Sequence, residues 1–259
     1  MKVVILAGGF GTRISEESTI RPKPLVEIGG KPILWHIMKI YSQYGFDDFI
    51  ICLGYKGYMI KDYFYHLDIR ESDVTFDYTN GTSIIQHKRN VEHWKVTLVD
   101  TGDNTMTGGR IKRIQPFIGD DKQFMFTYGD GLSNININEL INFHNKSGRI
   151  ATVTGVKPTG RFGKVILDGD LVKSFKEKEI ENGEWINGGF FVANKEIFNY
   201  INGDSTILEK EPLINLSIDR QLGMYRHNGF WQPMDTLKEK MDLESTWNAG
   251  NAPWKIWKD

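Results

Sequence analysis

The chain opens on an uninterrupted apolar run at positions 3–7 that breaks directly into Gly8-Gly9-Phe10-Gly11-Thr12-Arg13. A short apolar run bounded by glycines suits a central parallel strand covered on both faces. The turn that follows suits a polyphosphate. Glycine lets backbone N–H groups approach phosphate oxygens, Thr12 adds a hydroxyl donor, and Arg13 adds a fixed fork of charged N–H groups. Ten residues further on, Arg21-Pro22-Lys23-Pro24 sets a lysine between two prolines that hold the flanking backbone extended, so its ammonium has a defined direction.

The pattern that follows fixes the fold class. Pro32 opens a helix carrying Ile33, Leu34, Ile37, Met38 and Tyr41 at helical spacing, 48–53 reads as a second apolar strand and 56–67 as a second helix. Strand, helix, strand, helix predicts an α/β fold: a Rossmann-like, doubly wound, mixed but mainly parallel sheet with right-handed crossovers. Ligands of such sheets lie at the carboxyl ends of the strands, where 8–13 fall. Around Asn80-Gly81 the segment 74–99 turns to short alternating stretches, so an antiparallel excursion is expected there, helping to shape a base pocket. A helix is expected at 107–118, its Thr107-Gly108-Gly109-Arg110 start offering free N–H groups, and a strand at 123–128 ends on Gly129-Asp130. Helix 136–146, strands 150–156, 165–167, 172–175 and 185–193, and helices 195–201, 211–219 and 236–247 complete the reading. No repeat or linker divides the chain, so one domain is expected: a nucleotide part about 1–130, a sugar-binding part with a small antiparallel extension about 131–235, and a helix and tail over 236–259.

Composition narrows the partners. With 32 Lys and Arg against 33 Asp and Glu the net charge is -1, which gives no field for nucleic acid or an anionic membrane; a polyanion must be met locally. No stretch approaches the roughly 20 apolar residues of a membrane span, and no signal-peptide pattern opens the chain, so a cytoplasmic protein is expected. The single cysteine, Cys52, lies in Phe49-Ile50-Ile51-Cys52-Leu53 and reads as buried packing. Seven tryptophans and the tail Pro253-Trp254-Lys255-Ile256-Trp257 suggest an aromatic surface buried between subunits of a homo-oligomer, the other reading being a tail folded onto its own core.

Two common nucleotide motifs are excluded. From Gly9 the chain reads Gly-Phe-Gly-Thr-Arg-Ile, with Ile14 where a dinucleotide fingerprint needs its last glycine, and the two Gly-Lys pairs are followed by Pro32 and Val165 rather than the Ser or Thr of a Walker A loop. What remains, A-G-G-x-G-T-R followed by P-K-P-L-x-x-I-x-G-K-P, resembles the signature of the sugar-1-phosphate nucleotidyltransferases. Tyr128-Gly129-Asp130, Phe175-Lys176-Glu177-Lys178, Asn187-Gly188-Gly189-Phe190-Phe191 and Phe230-Trp231-Gln232-Pro233-Met234-Asp235 follow in the family's order across essentially the whole chain. Ser15-Glu16-Glu17, Gly160-Arg161-Phe162-Gly163 and the Trp-Gln-Pro-Met-Asp string look like its cytidylyl branch. Glu16 and Glu179 stand where many relatives carry proline.

The resemblance implies transfer of the cytidylyl group of CTP to α-D-glucose 1-phosphate, giving CDP-glucose and pyrophosphate, with Mg²⁺ as cofactor and a hexamer as assembly. CDP-glucose feeding deoxysugars for bacterial surface polysaccharide, such as O-antigen, belongs to the same implication. On this reading Leu6, Ala7, Gly8, Gly9, Phe10, Gly11, Thr12, Arg13, Lys23, Thr105, Arg110 and Gly129 bind the nucleotide, with Lys23 and Arg13 catalytic. Gly163, Glu177, Lys178, Asn187 and Gly188 bind the sugar phosphate, and Asp130 and Asp235 bind the metal. Alone, a strand-end aspartate is more often a cap or turn residue and a lone lysine a solvated one. Two rivals stay open: the same chemistry with UTP or dTTP, and a catalytically silent sugar-nucleotide-binding subunit.

Overall fold

The computed structural model describes residues 1–157, 164–168, 171–176 and 185–258. In chain order the main elements are β1 (Val3–Leu6), α1 (Ile33–Ser42), β2 (Asp48–Leu53), α2 (Gly57–Arg70), β3 (Ser72–Asp77), β4 (Ser83–Arg89), β5 (Lys95–Asp100), α3 (Thr107–Arg113), α4 (Gln115–Ile118), β6 (Gln123–Tyr128) and β7 (Gly131–Ser133). They continue as α5 (Ile137–Ser147), β8 (Ala151–Val156), β9 (Lys164–Asp168), β10 (Leu171–Lys176), β11 (Ile186–Asn194), α6 (Glu211–Ile218), β12 (Leu222–His227), β13 (Trp231–Pro233) and α7 (Leu237–Asn248).

Seven strands form one sheet in the order β12-β8-β11-β6-β1-β2-β5. Every pairing is parallel except the two made by β11, which runs antiparallel to both β8 and β6. The sheet is thus mixed and mainly parallel, as the sequence pattern predicts. Strand alternation divides the interior into two cores. Val3 and Ile5 of β1, with Phe49 and Ile51 of β2, face α1, α2 and α7; Val4 and Leu6, with Ile50 and Cys52, face α3, Ile197 and Leu216. Each such fully buried side chain contributes about 1.5–3 kcal/mol, which is why β1 and β2 read as continuous apolar runs. Cys52 is buried, and burial pushes its thiol up to about 12, so it packs as a small apolar group.

Four expectations need correction. The antiparallel excursion is confined to the hairpin β3–β4; the last part of 74–99 is β5, which joins the main sheet parallel to β2. The helix expected over 107–118 is broken into α3 and α4 at Ile114, because Pro116 follows and cannot continue the hydrogen-bond ladder. Residues 195–200 form a 3₁₀ helix, and the edge strand β12, paired parallel with β8, has no counterpart in the sequence reading. Its residues Leu-Gly-Met-Tyr-Arg-His are half-buried and lack clean alternation, so only the exposed edge of β8 defines them as a strand.

The tail is the fourth. Trp254 and Trp257 are buried within the chain, against His36, Trp247 and Phe230, with Trp35 edge-on to Trp257 at 5.6 Å. The tail residues Trp254 and Trp257 therefore complete the protein's own core. Gly29, at φ +60, admits Trp247, since a Cβ there would lie 1.9 Å from its indole nitrogen. Among the described residues no helix is long and apolar enough to cross a membrane.

His36 sits inside this aromatic cluster, bonded to Ile28 O at 2.8 Å and accepting from Trp254 Nε1 at 3.3 Å. Burial lowers its pKa from 6.5 to about 4. The unfolded chain thus takes up a proton between those values that the folded chain refuses, so stability falls as pH falls through this window. Moving from pH 7 to pH 5 is expected to cost about 2 kcal/mol from this group alone. Burial of His144 and His227 acts in the same direction. Urea unfolding at both pH values should show a clearly smaller pH effect in His36→Asn; an identical effect would mean His36 does not carry it.

Candidate active site

The carboxyl ends of β1 and β6 and the loop after β5 open into a cavity of about 750 Å³. Residues 6–13 form one wall, 103–107 and Arg110 another, and Lys23, Asp130, Asn187, Trp231 and Asp235 close it. Every nucleotide, catalytic and metal residue expected from the sequence lines this cavity.

Lys23 is the centre of the arrangement. Pro22 enters extended at φ -64 and ψ 145, a single 3₁₀ turn Lys23–Leu25 follows, and the side chain projects into the cavity almost fully buried. Its ammonium donates to Asp130 Oδ2 at 2.6 Å and Asp235 Oδ1 at 2.7 Å, partners 107 and 212 positions away in sequence. Arg13 Nη1 donates to the other Asp235 oxygen at 2.5 Å. The two carboxylates meet through a short ladder: β7 and β13 pair antiparallel with Pro233 opposite Gly131, and Met234 N bonds Asp130 O at 2.8 Å. Beyond it, Asp235 N and Thr236 N both donate to Glu239 Oε2, and Thr236 caps α7 in a reciprocal capping box. Asp235 is thereby fixed between a strand end and a helix start.

The glycine turn is held by Arg110 rather than left open. Arg110 donates to Leu53 O at 2.9 Å, Thr101 Oγ1 at 2.7 Å, Gly102 O at 2.8 Å, Gly8 O at 3.0 Å and Asp103 O at 3.2 Å. Burial lowers its pKa, yet five acceptors surround the charge. This residue ties the loops after β1, β2 and β5 into one wall. Glycine at position 8 is what admits it, because a Cβ there would lie 2.1 Å from Arg110 Nη1, whereas Gly9 has nothing within 4 Å. Gly11, at φ +66, supplies the left-handed residue that turns the chain toward Thr12.

Other expected residues have more specific surroundings than the sequence suggests. The start of α3 is only partly open, since Gly109 N bonds Thr206 O at 3.2 Å. Gly129 N bonds Leu6 O at 3.0 Å, and a Cβ there would lie 2.9 Å from that oxygen. Asn187 faces the cavity, but Gly188 does not line it: a Cβ at 188 would meet Val156 Cγ1 at 2.6 Å, and its carbonyl accepts from Trp231 Nε1 at 2.7 Å. Strand packing is the visible reason for glycine at 188. Among the described residues the hairpin β3–β4 contributes none to the lining of this cavity. Glu27 pairs with Arg21 at 2.8 Å on the surface. Gly163, Glu177 and Lys178 lie outside the described residues. Tyr128, Glu209 and Trp231 line the cavity unforeseen; Glu209 sits in Ile207-Leu208-Glu209-Lys210-Glu211, where only an ordinary charged run is visible.

A mixed parallel sheet, a glycine cradle at its central strand end, fixed cations and two converging carboxylates define an enzyme that handles a nucleoside polyphosphate. A family model described as nucleotidyl transferase matches residues 2–232. Glucose-1-phosphate cytidylyltransferase of Salmonella typhi is 54% identical over 257 residues, covering 99% of this chain and 100% of the relative. A probable glucose-1-phosphate cytidylyltransferase of Bacillus subtilis (strain 168) is 47% identical over 258 residues, covering 99% and 100%. The crystal structure of HddC from Yersinia pseudotuberculosis shares the fold at a TM-score of 0.68 and 23% identity, covering 95% of this chain and 99% of that one. The chain belongs to the nucleotidyl transferase family.

The contrast between adjacent glycines is testable. Gly8→Ala should displace Arg110 and destabilise the protein by about 1–3 kcal/mol, the usual range for overpacking. Gly9→Ala should leave the thermal midpoint unchanged. Equal midpoints for the two variants would show that Arg110 does not brace the turn.

Proposed function

We propose that this chain transfers the cytidylyl group of CTP to α-D-glucose 1-phosphate, releasing pyrophosphate and CDP-glucose. The observation that carries the reading is the buried Lys23 ammonium shared by Asp130 and Asp235 at the mouth of the glycine cradle. Full-length identity to curated enzymes of this activity supports the choice of substrates.

An oxygen of the sugar phosphate attacks the α-phosphorus, a new P–O bond forms in line, and the bond to the β-phosphate breaks as pyrophosphate leaves. Positioning and charge neutralisation supply most of the catalysis in such a transfer. Thr12 and Arg13 hold the β- and γ-phosphates at the cradle, while Lys23 stabilises charge on the α-phosphate. The backbone of Gly8 and Gly9, with Thr105 and Gly129, borders the nucleoside, and Arg110 keeps that border rigid. Asn187, with Gly163, Glu177 and Lys178, takes the sugar phosphate.

The donor set at Asp130 and Asp235 fits Mg²⁺. Both supply hard carboxylate oxygens to one point now occupied by an ammonium, and Mg²⁺ commonly takes one or two carboxylates with water and substrate phosphates. When bound, the ion neutralises charge on the polyphosphate. Lys23, Asp130 and Asp235 all being present disfavours a silent subunit.

Incubation with CTP, Mg²⁺ and glucose 1-phosphate should yield CDP-glucose by mass spectrometry, and chelation of the metal should abolish it. Lys23→Ala should lower kcat by about 10²–10³. Larger kcat/KM with UTP or dTTP than with CTP would defeat the cytidylyl assignment, and full turnover in Lys23→Ala would remove the lysine from the chemistry.

A further inference from the structure

A carboxylate inside a cavity suited to a polyphosphate calls for a specific partner. Glu209 lines the cavity from the turn preceding α6, and both its oxygens are held: Thr107 Oγ1 donates to Oε2 at 2.7 Å, and the Tyr128 hydroxyl donates to Oε1. Thr107 in turn accepts from Leu208 N at 2.9 Å, and Asn187 Nδ2 donates to the Tyr128 oxygen at 3.2 Å. The Tyr128 hydroxyl is the donor of that pair, because a carboxylate oxygen only accepts. The chain of hydrogen bonds leaves Glu209 anchored twice and still rich in lone pairs, because a carboxylate offers about four acceptor sites.

A fixed anion repels phosphate, so Glu209 must face an uncharged part of the substrate that donates hydrogen bonds. Its anchors say which part. Thr107 belongs to the wall formed by 103–107 and Arg110, and Tyr128 leads directly into Gly129 and Asp130 at the Lys23 end. Asn187, given to the sugar phosphate above, reaches this network through the Tyr128 oxygen, whereas Glu209 is bonded directly to Thr107 of the nucleoside wall and so borders the span between that wall and the phosphate end. In a nucleoside triphosphate that span is the ribose, whose adjacent hydroxyls are donors without charge.

We infer that Glu209, fixed by Thr107 and Tyr128, accepts hydrogen bonds from the ribose hydroxyls of the nucleotide and makes the enzyme select ribonucleotides over 2′-deoxyribonucleotides. The inference rests on the nucleoside triphosphate reading above and not on which base is used. A hydroxyl given to a charged acceptor is worth roughly tenfold to a hundredfold in affinity. Loss of the hydroxyl or of the carboxylate should therefore have the same effect, and loss of both should add little.

Steady-state kinetics with CTP and dCTP, repeated with UTP and dUTP, test this on the intact enzyme. The wild type should favour CTP over dCTP by about tenfold or more. Glu209→Ala should lose about tenfold in kcat/KM for CTP, mainly through KM, and less than about threefold for dCTP, so the ratio approaches one. Glu209→Gln, which restores one acceptor oxygen, should recover part of the ratio, and Tyr128→Phe should weaken it by freeing the carboxylate. Equal losses on CTP and dCTP would give Glu209 to the sugar phosphate or to the protein's own structure and overturn the inference. A changed CTP to UTP ratio with an intact ribose to deoxyribose ratio would assign it to the base and overturn it too. Should the wild type prefer UTP, the cytidylyl reading fails, while the UTP and dUTP pair still decides the role of Glu209.

Discussion

The site depends on one buried ammonium. Lys23 is almost completely withdrawn from water, and a buried lysine keeps its charge only where anions replace its hydration. Asp130 and Asp235 replace it, and Arg13 balances the second Asp235 oxygen. Removing any one of these costs its neighbours a partner inside a site withdrawn from water, so the three chain segments hold each other in place. The same mutual compensation suits a site that must receive a highly charged substrate, because acids and bases are already paired one against another before it arrives.

Around that centre the cavity is braced by groups that are themselves held by hydrogen bonds within the chain. Arg110 joins the loops after three neighbouring strands, and the capping box at α7 fixes the backbone beyond Asp235. Tyr128, Thr107 and Glu209 connect the start of α3 with the end of β6. Preorganisation of this kind lets a cavity with few charged side chains act on a polyanion, since the donors need not be ordered during the reaction. The strong burial on both faces of β1 and β2 supplies the rigid base from which these loops extend.

Much of this was legible in the residues. Continuous apolar runs at 3–7 and 48–53 identified the central strands because both faces are covered, and Lys23 stood out because two prolines flank it downstream of the glycine-rich turn. Other features were not legible. Strand β12 has weak alternation and exists through its partner β8. The break at Ile114 hides in a sequence whose apolar spacing continues across it. Glycines 8 and 188 looked like points of approach for a ligand, yet the atoms that exclude a Cβ belong to Arg110 and Val156. The terminal tryptophans carried hydrophobic area but no direction, and the direction came from His36 and Trp247, more distant in sequence.

By itself the sequence determined the α/β class and the glycine-rich turn after β1, because each rests on local rules of spacing and backbone freedom, whereas Lys23, Asp130 and Asp235 were singled out as site residues by the resemblance to a family. Only the tertiary structure decided that those three residues meet, that Arg110 braces a wall, and that Glu209 enters the cavity. Contacts across 107 or 212 positions arise from strand pairing and sheet order, and no local pattern encodes the distance between two strand ends.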